Sequence, residues 1–291
     1  MNPIPMVEEL VETSAGPVEI VRVPGERPPV LFFPGGHCSA KADCGWSLYT
    51  ESGYGLVSFS RPGYGRTRVG SLGAAAFAPL VREVCDQLGI REVAAAVGVS
   101  FGGMQAVHVA NDQQDEVPRL ILHSCAPSGL PYPDSRLEAI GGPVVFSPLL
   151  QGLTWALVRR LIRSDSGLRL VMGRLSRLPV ENWWSELTAG DRDELRALFR
   201  SMASDAGFVN DLRQGRRAGA SARRAAIGSV RCRTLVTGSP HDRGVSFAHA
   251  RDFANAIPGA DLVELDSPSH IFWIGPRRAP LVSVVRSFLE E

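Results

Sequence analysis

The stretch Val93–Met104 constrains the fold of this chain more than any other part of the sequence. An apolar run of strand length ends at Val99 and leads directly into Ser100, with glycines two residues before and two residues after the serine. This G-x-S-x-G pattern lets a strand and the following helix approach closely around a sharp turn. An ordinary strand-to-helix turn is the alternative, because glycine and serine are common turn residues. The apolar run before the serine favours an exposed nucleophile at the carboxyl end of a sheet strand.

A serine hydroxyl needs a neighbouring base to act as a nucleophile at neutral pH. Among the six histidines, His270 fits best, because it follows the apolar run Leu262–Leu265 and precedes the last predicted helix. Asp242 follows the run Thr234–Thr237 in the same way, although a lone aspartate in such a loop more commonly caps its own turn. The order nucleophile, acid, base, each after a successive strand, favours a catalytic role for both. Asp266 is the alternative acid, but it lies in the loop that must carry the base.

The rest of the chain alternates between strand-like and helix-like patterns. Strands are predicted within residues 6–23, around a turn at Ser14–Pro17, and at Pro29–Phe33, Gly55–Ser60 and Leu120–His123. Helices are predicted at Ala40–Ser52, Ala74–Leu88 (its regular part beginning near Pro79), Met104–Asn111, Ser246–Ile257 and Arg277–Leu289. Residues 128–229 show helical periodicity without clear strands. We therefore predict an α/β fold with a mostly parallel sheet formed by residues 1–127 and 230–291, and a helical cap formed by residues 128–229.

Composition narrows the possible partners. The 291 residues suffice for one large domain with an insertion, and the net charge of +1 gives no global field that would recruit nucleic acid or a membrane surface. The five cysteines are scattered and lack metal-ligand spacing, and no signal peptide is evident, so we expect no metal and a cytoplasmic location. The segment 159–233 holds 16 arginines against 8 acidic residues. A solvated face explains this excess better than an anion site or a docking site for an acidic carrier protein.

These motifs together resemble the α/β-hydrolase superfamily, specifically its capped esterase and lactonase-like branch. The resemblance covers nearly the whole chain and is carried by five segments: P-G-G-H, R-P-G-Y-G-R-T, G-V-S-F-G-G, G-S-P-H-D-R-G and S-P-S-H. It implies the fold predicted above and a triad of Ser100, Asp242 and His270. It also implies that the backbone N–H groups of Gly36 and Phe101 form the oxyanion hole.

The chain departs from the family pattern at the glycine loop. Pro34 stands where the family has a histidine, and the H-G-G-P-G loop of proline iminopeptidases is absent, which disfavours a peptidase. The oxyanion donor is a backbone group, so the proline should do little damage. A serine nucleophile also argues against haloalkane dehalogenase and epoxide hydrolase chemistry, which in related proteins runs through an aspartate ester.

Three side chains are candidates for the substrate pocket. The uncharged stretch Val144–Val158, with Phe146 and Trp155, is expected to face the pocket, with the core of the cap as the alternative. His37 lies beside the expected oxyanion loop and is a candidate substrate contact, with loop polarity alone as an equally good explanation. Other singled-out residues are interpreted as structural: His108, His123, Cys85, Cys125 and the R-P-G-Y-G-R-T turn, which lacks the lysine and spacing of a phosphate-binding loop.

The sequence thus predicts a serine hydrolase that cleaves an ester, lactone or thioester of a small, largely apolar substrate, without a cofactor. One alternative keeps the site but changes the reaction to that of a lyase, an acyltransferase or a cofactor-free enzyme on a biosynthetic intermediate. The other is a non-catalytic receptor for a small molecule. Fold arguments do not separate these, because function is set by the site.

Overall fold

A sheet of eight strands forms the centre of the protein in the computed structural model, which describes residues 6–133, 145–147 and 149–291. The strands are β1 (Val7–Thr13), β2 (Gly16–Val23), β3 (Arg27–Phe33), β4 (Tyr54–Phe59), β5 (Ala95–Val99), β6 (Arg119–His123), β7 (Arg233–Gly238) and β8 (Asp261–Glu264). Their spatial order is β1-β2-β4-β3-β5-β6-β7-β8. The pairs β1–β2 and β2–β4 are antiparallel, and all other pairs are parallel. This confirms the predicted mostly parallel α/β sheet.

Both faces of the central strands are covered, which is why these strands read as continuous apolar runs. Alternate residues of β5 join different clusters: Val97 packs in one hydrophobic core with Ile121, and Ala96 packs in the other with Leu120. Helices cover the two faces: α1 (Ser47–Thr50), α2 (Ala74–Gln87), α3 (Gly103–Asp112), and, after β7, α9 (Phe247–Ala256) and α10 (Ala279–Glu290). The parallel strands direct their carboxyl ends to one edge, where the loops that carry the candidate site residues meet.

Two predicted helices differ from the observed ones. Only Ser47–Thr50 is helical within the predicted helix Ala40–Ser52. The Asp43 carboxylate accepts hydrogen bonds from nearby backbone N–H groups, including that of Gly45 at 2.8 Å, and Gly45 has φ +102°; this local turn replaces the first helical turns. In α2 the regular helix begins at Ala74, so the prediction that it begins near Pro79 is wrong.

The segment between β6 and β7 is helical where it is described. We call residues 128–229 the cap segment; its helices are α4 (Gln151–Leu161), α5 (Asp165–Gly173), α6 (Ala189–Ser201), α7 (Gly207–Gln214) and α8 (Ala220–Gly228). All eight strands lie outside it, while its boundaries as a separate unit stay a prediction. Of the predicted pocket stretch, residues 144 and 148 lie outside the described residues. Among the described helices, none combines the length and apolar character needed to cross a membrane.

Candidate active site

Ser100 lies on a strained turn between β5 and α3. Its φ is +52°, a conformation that costs free energy in any residue with a side chain, and it opens the short 3-10 turn Ser100–Gly102. The flanking glycines are required by space: a Cβ on Gly98 would lie 2.7 Å from the Gly103 Cα, and one on Gly102 would lie 1.9 Å from the Phe33 carbonyl oxygen. The sequence therefore forces the serine out of the strand and into the loop edge of the sheet.

Asp242 and His270 are hydrogen-bonded to each other in the loops that follow β7 and β8. The His270 Nδ1 lies 2.7 Å from Asp242 Oδ2, and Asp242 is 1% exposed. The other carboxylate oxygen accepts the N–H of Val245 at 2.9 Å, which fixes the carboxylate plane. Burial lowers the pKa of His270, but the charge and hydrogen bond of Asp242 raise it, and the net shift is upwards. Because Nδ1 faces a carboxylate, Nε2 is the ring nitrogen left to exchange protons.

The alternative acid lies apart from this pair. The Asp266 side chain is largely exposed and forms an ion pair with Arg277 at 3.0 Å. Asp242, by contrast, is buried against the His270 ring. The structure therefore brings together His270 and Asp242, and it leaves Asp266 on the surface.

Ser100 and His270 line the same cavity, whose volume is about 410 Å³. Its wall is mostly apolar, and the cap segment supplies much of it: Phe146, Trp155, Val158, Phe199, Met202 and Phe208. Within the described part of the chain the Ser100 hydroxyl has no hydrogen-bond partner, so it is available to a molecule in the cavity. An apolar cavity with a few convergent polar groups is the usual form of a small-molecule site.

Gly36 and Phe101 also line this cavity, on the side of the glycine loop after β3. Phe101 is in the first turn of the helical segment, where N–H groups have no intrahelical acceptor. A Cβ on Gly36 would lie 2.9 Å from the Phe101 ring, so a larger residue at this position would require that ring to shift. The two candidate oxyanion donors thus lie on adjoining segments of one wall.

Arg61 is hydrogen-bonded to the backbone of the glycine loop. The sequence analysis interpreted the R-P-G-Y-G-R-T turn, which begins with this residue, as structural. Arg61 is fully buried; its Nε donates to the Pro34 carbonyl at 2.8 Å and its Nη2 to the Gly35 carbonyl at 2.9 Å. The same guanidinium forms a two-pronged ion pair with Asp211 of α7, one contact being 2.9 Å from Nη2 to Oδ2. Burial opposes the charge of Arg61, but Asp211 raises the pKa of the guanidinium above its ordinary value.

Tyr64 extends this buried network to the end of the loop. Its hydroxyl donates to Asp211 Oδ2 at 2.6 Å and accepts the backbone N–H of His37 at 3.3 Å. Asp211 of the cap segment therefore connects, through Arg61 and Tyr64, to two successive residues of the glycine loop, Pro34 and Gly35, and to His37. Sequence reasoning missed this network, because nothing in the local pattern around Arg61 indicates a partner in the cap segment.

The three predicted pocket residues, His37, Phe146 and Trp155, meet in this cavity. The His37 ring stacks on Phe208 with centroids 3.9 Å apart, and Phe146 lies 4.5 Å away. Ser204 links the group: its Oγ accepts the Trp155 Nε1–H at 2.9 Å and lies 2.8 Å from His37 Nδ1. Burial, together with the charge of Arg61, lowers the pKa of His37 to about 3. His37 is therefore neutral at physiological pH and contributes packing and shape.

A short stretch of the cap segment is hydrogen-bonded to both loops of the acid–base pair. The Leu175 carbonyl accepts the backbone N–H of His270 at 3.0 Å and that of Arg243 at 3.3 Å. The N–H of Arg177 donates to the carbonyl of His241 at 2.8 Å. Strand-like hydrogen bonds from the cap segment thus stabilise the backbone of the two loops that carry Asp242 and His270.

The remaining singled-out residues have structural surroundings. His123 is buried, with the Tyr49 hydroxyl at 2.8 Å from Nε2 and the Thr237 hydroxyl at 2.7 Å from Nδ1, and burial lowers its pKa to about 3. Cys85 and Cys125 are buried free thiols. Over the described residues, no group of three or more His, Cys, Asp or Glu side chains could hold a metal ion.

Comparisons with known proteins agree with this architecture. A family model described as "Alpha/beta hydrolase family" matches residues 30–283. The uncharacterized hydrolase YcgS of Bacillus subtilis (strain 168) is 29% identical over 287 residues, with 97% of this chain and 98% of that protein covered.

Two solved structures share the fold over nearly their whole length. An alpha/beta hydrolase fold protein from Nakamurella multipartita is 23% identical with a TM-score of 0.74, covering 97% of this chain and 99% of that one. An enol-lactonase from Burkholderia xenovorans LB400 is 19% identical with a TM-score of 0.66, covering 97% and 100% of the two chains. Because the family model spans most of the sequence, this protein belongs to the alpha/beta hydrolase family.

Proposed function

We propose that this protein is a serine hydrolase that cleaves an ester, lactone or thioester bond of a small, largely apolar substrate. One observation carries the proposal: His270 is hydrogen-bonded to the buried Asp242, and it lines the same cavity as Ser100, which lies on a strained turn. The likeness to an enol-lactonase and to a hydrolase is consistent with this chemistry.

The proposed mechanism gives each of these residues one role. The neutral His270 Nε2 takes the proton of the Ser100 hydroxyl as the oxygen attacks the carbonyl carbon. Asp242 keeps the proton on Nδ1 and stabilises the imidazolium that forms. The N–H groups of Gly36 and Phe101 bind the oxyanion of the tetrahedral intermediate. His270 then gives the proton to the leaving group. In the second half of the reaction His270 takes a proton from water, which attacks the acyl carbon, and then returns a proton to Ser100.

The cap segment, in this proposal, selects the substrate. Its aromatic and aliphatic side chains form the cavity wall opposite the sheet, so they contact the part of the substrate that does not react. A largely apolar wall favours an acyl or alkyl group over a polar one, and shape rather than hydrogen bonding sets the limit on its size. Trp155, buried and tied to Ser204, is a fixed part of that wall.

Active-site labelling combined with turnover tests the proposal. A fluorophosphonate probe should label the wild type and not the Ser100→Ala variant, and a panel of p-nitrophenyl esters of increasing chain length should be hydrolysed only by the wild type. Labelling without any ester turnover would instead favour a lyase, an acyltransferase or another non-hydrolytic reaction on this scaffold. Absence of both labelling and turnover, with thermal stabilisation by small apolar molecules, would favour a receptor.

A further inference from the structure

The cavity contains a single permanently charged side chain among the described residues that line it. That residue is Arg174, which follows α5, and no aspartate or glutamate lines the wall. His37 is neutral because its pKa is about 3. Arg174 lines the cavity and is also exposed to solvent. No acidic side chain among the described lining residues offsets its positive charge, and apolar walls screen that charge less than water does.

Arg174 is the one arginine among the described residues that line the cavity. Within the described part of the chain its guanidinium makes no hydrogen bond or ion pair, and it stacks on no aromatic ring. Some cap arginines are engaged: Arg192 and Arg196 with Asp165, Arg177 with the Asp242 carbonyl, and Arg169 with the face of Trp184. Others, such as Arg163 and Arg200, also have no partner among the described residues, but they do not line the cavity. A cation at an apolar cavity that pairs with none of the described residues is available to pair with a ligand.

The backbone next to Arg174 is fixed relative to the catalytic pair. Its neighbour Leu175 accepts the N–H of His270 at 3.0 Å, so the chain at this point moves with the loop that carries the base. The backbone that carries Arg174 therefore has a fixed place in the wall of the cavity that Ser100 also lines. A fixed attachment point limits the region of the cavity that the guanidinium can reach.

We propose that Arg174 binds a carboxylate on the non-reacting end of the substrate, so that the enzyme prefers esters or lactones that carry one negative charge over their neutral analogues. This inference rests on the proposed serine hydrolase function and names its substrate class: an apolar body, a carbonyl at Ser100 and an anionic end at the cavity mouth.

The test compares two chromogenic esters that differ only in the terminal carboxylate: the p-nitrophenyl monoester of adipic acid and p-nitrophenyl hexanoate. The wild type should show the higher kcat/KM for the adipate monoester, and added salt should reduce this preference. Arg174→Gln should lower kcat/KM for the adipate monoester by about 5- to 30-fold, mainly through KM, and change kcat/KM for hexanoate far less, so that the ratio of the two falls. Arg174→Lys keeps the charge and should retain part of the preference.

Arg163→Gln is the matched control, since Arg163 is an exposed arginine of the cap segment outside the cavity wall, and its loss changes the net charge by the same amount. The control should leave the preference intact. If Arg174→Gln does not alter the ratio of the two rates, or if Arg163→Gln lowers it equally, Arg174 is not the anion site.

A binding measurement separates this inference from the proposed function. Calorimetry with the Ser100→Ala variant should show tighter binding of monomethyl adipate than of methyl hexanoate, and adding Arg174→Gln should remove the difference. A missing preference in this variant overturns the anion site even where wild-type ester hydrolysis is normal. A preference that depends on Arg174, in a protein that hydrolyses no ester, keeps the anion site and refutes the hydrolase mechanism.

Discussion

Replacing Asp211 by asparagine should both destabilise the protein and slow catalysis, because this carboxylate connects the cap segment to the glycine loop. The side chains of Arg61 and Asp211 are 1% and 4% exposed, and Asp211 also accepts the Tyr64 hydroxyl. Asn keeps the shape and removes the charge. The Arg61 guanidinium is then left buried without a counter-charge, which is the costly way to break such a pair.

The magnitude follows from that burial. Removing one partner of a buried ion pair typically costs about 3–5 kcal/mol. This is a large part of the roughly 5–15 kcal/mol by which domains are stable. The effect on rate has a different origin: Arg61 fixes the Pro34 and Gly35 carbonyls and hence the position of the Gly36 N–H. Losing an oxyanion donor altogether costs about 10²–10³-fold in kcat, which sets the upper limit for a displaced one.

Urea denaturation followed by circular dichroism measures the first effect, and kcat for a neutral ester under native conditions measures the second. Asp193→Asn is the matched control, since Asp193 belongs to an exposed cap ion pair with Arg196 and should change the free energy of unfolding by no more than about 1 kcal/mol. A loss for Asp211→Asn no larger than that of the control would refute the reasoning. A normal kcat in a destabilised Asp211→Asn protein would show that the network supports the fold without positioning the oxyanion hole.

Three further predictions concern the chemistry and the cavity. Ser100→Ala and His270→Ala should each lower kcat for ester hydrolysis by about 10⁴–10⁶-fold, with the double variant little worse, and Asp242→Asn should retain more activity; an Asp266→Asn variant that loses activity while Asp242→Asn keeps it would reverse the choice of acid. The wild-type kcat/KM should rise with pH to a plateau, with a midpoint above the ordinary histidine value of about 6.5, because the raised pKa of His270 keeps it protonated and inactive as a base to higher pH; a flat profile from acid to neutral pH would exclude the general base. Trp155→Ala should shift preference among esters of different chain length by about 1–3 kcal/mol and leave fluorophosphonate labelling intact; unchanged selectivity in the folded variant would remove this side chain from the pocket wall.

The parts of the fold that could be predicted from sequence are those fixed by local pattern. Buried strands read as apolar runs and end at loop residues, so the positions of Ser100, Asp242 and His270 after β5, β7 and β8 followed from reading the runs alone. The same reasoning failed for Ala40–Ser52, where the apolar and polar residues fit a helix but the Asp43 carboxylate satisfies backbone N–H groups in a turn. Side-chain competition for backbone hydrogen bonds leaves little trace in hydrophobic periodicity.

The Arg61 network could not be predicted for a different reason. Arg61 and Asp211 are 150 positions apart, and each stands in a sequence neighbourhood that is consistent with solvent exposure. Only the docking of α7 against the glycine loop makes the pair, and its placement depends on the packing of the whole cap segment. The same holds for Ser204, whose hydroxyl joins His37 to Trp155. Contacts of this kind are set by the tertiary structure and have no local signature.

The hydrogen bonds between Leu175–Arg177 and the two catalytic loops have a consequence for how the active site forms during folding. The backbone of the acid and base loops reaches its final hydrogen-bonded state only when a segment roughly midway between β6 and β7 has docked. Without the cap segment the two loops would lack these hydrogen bonds, even where the turn that carries Ser100 has formed. The cap segment therefore completes the backbone hydrogen bonding of the candidate acid–base pair and also supplies part of the cavity wall.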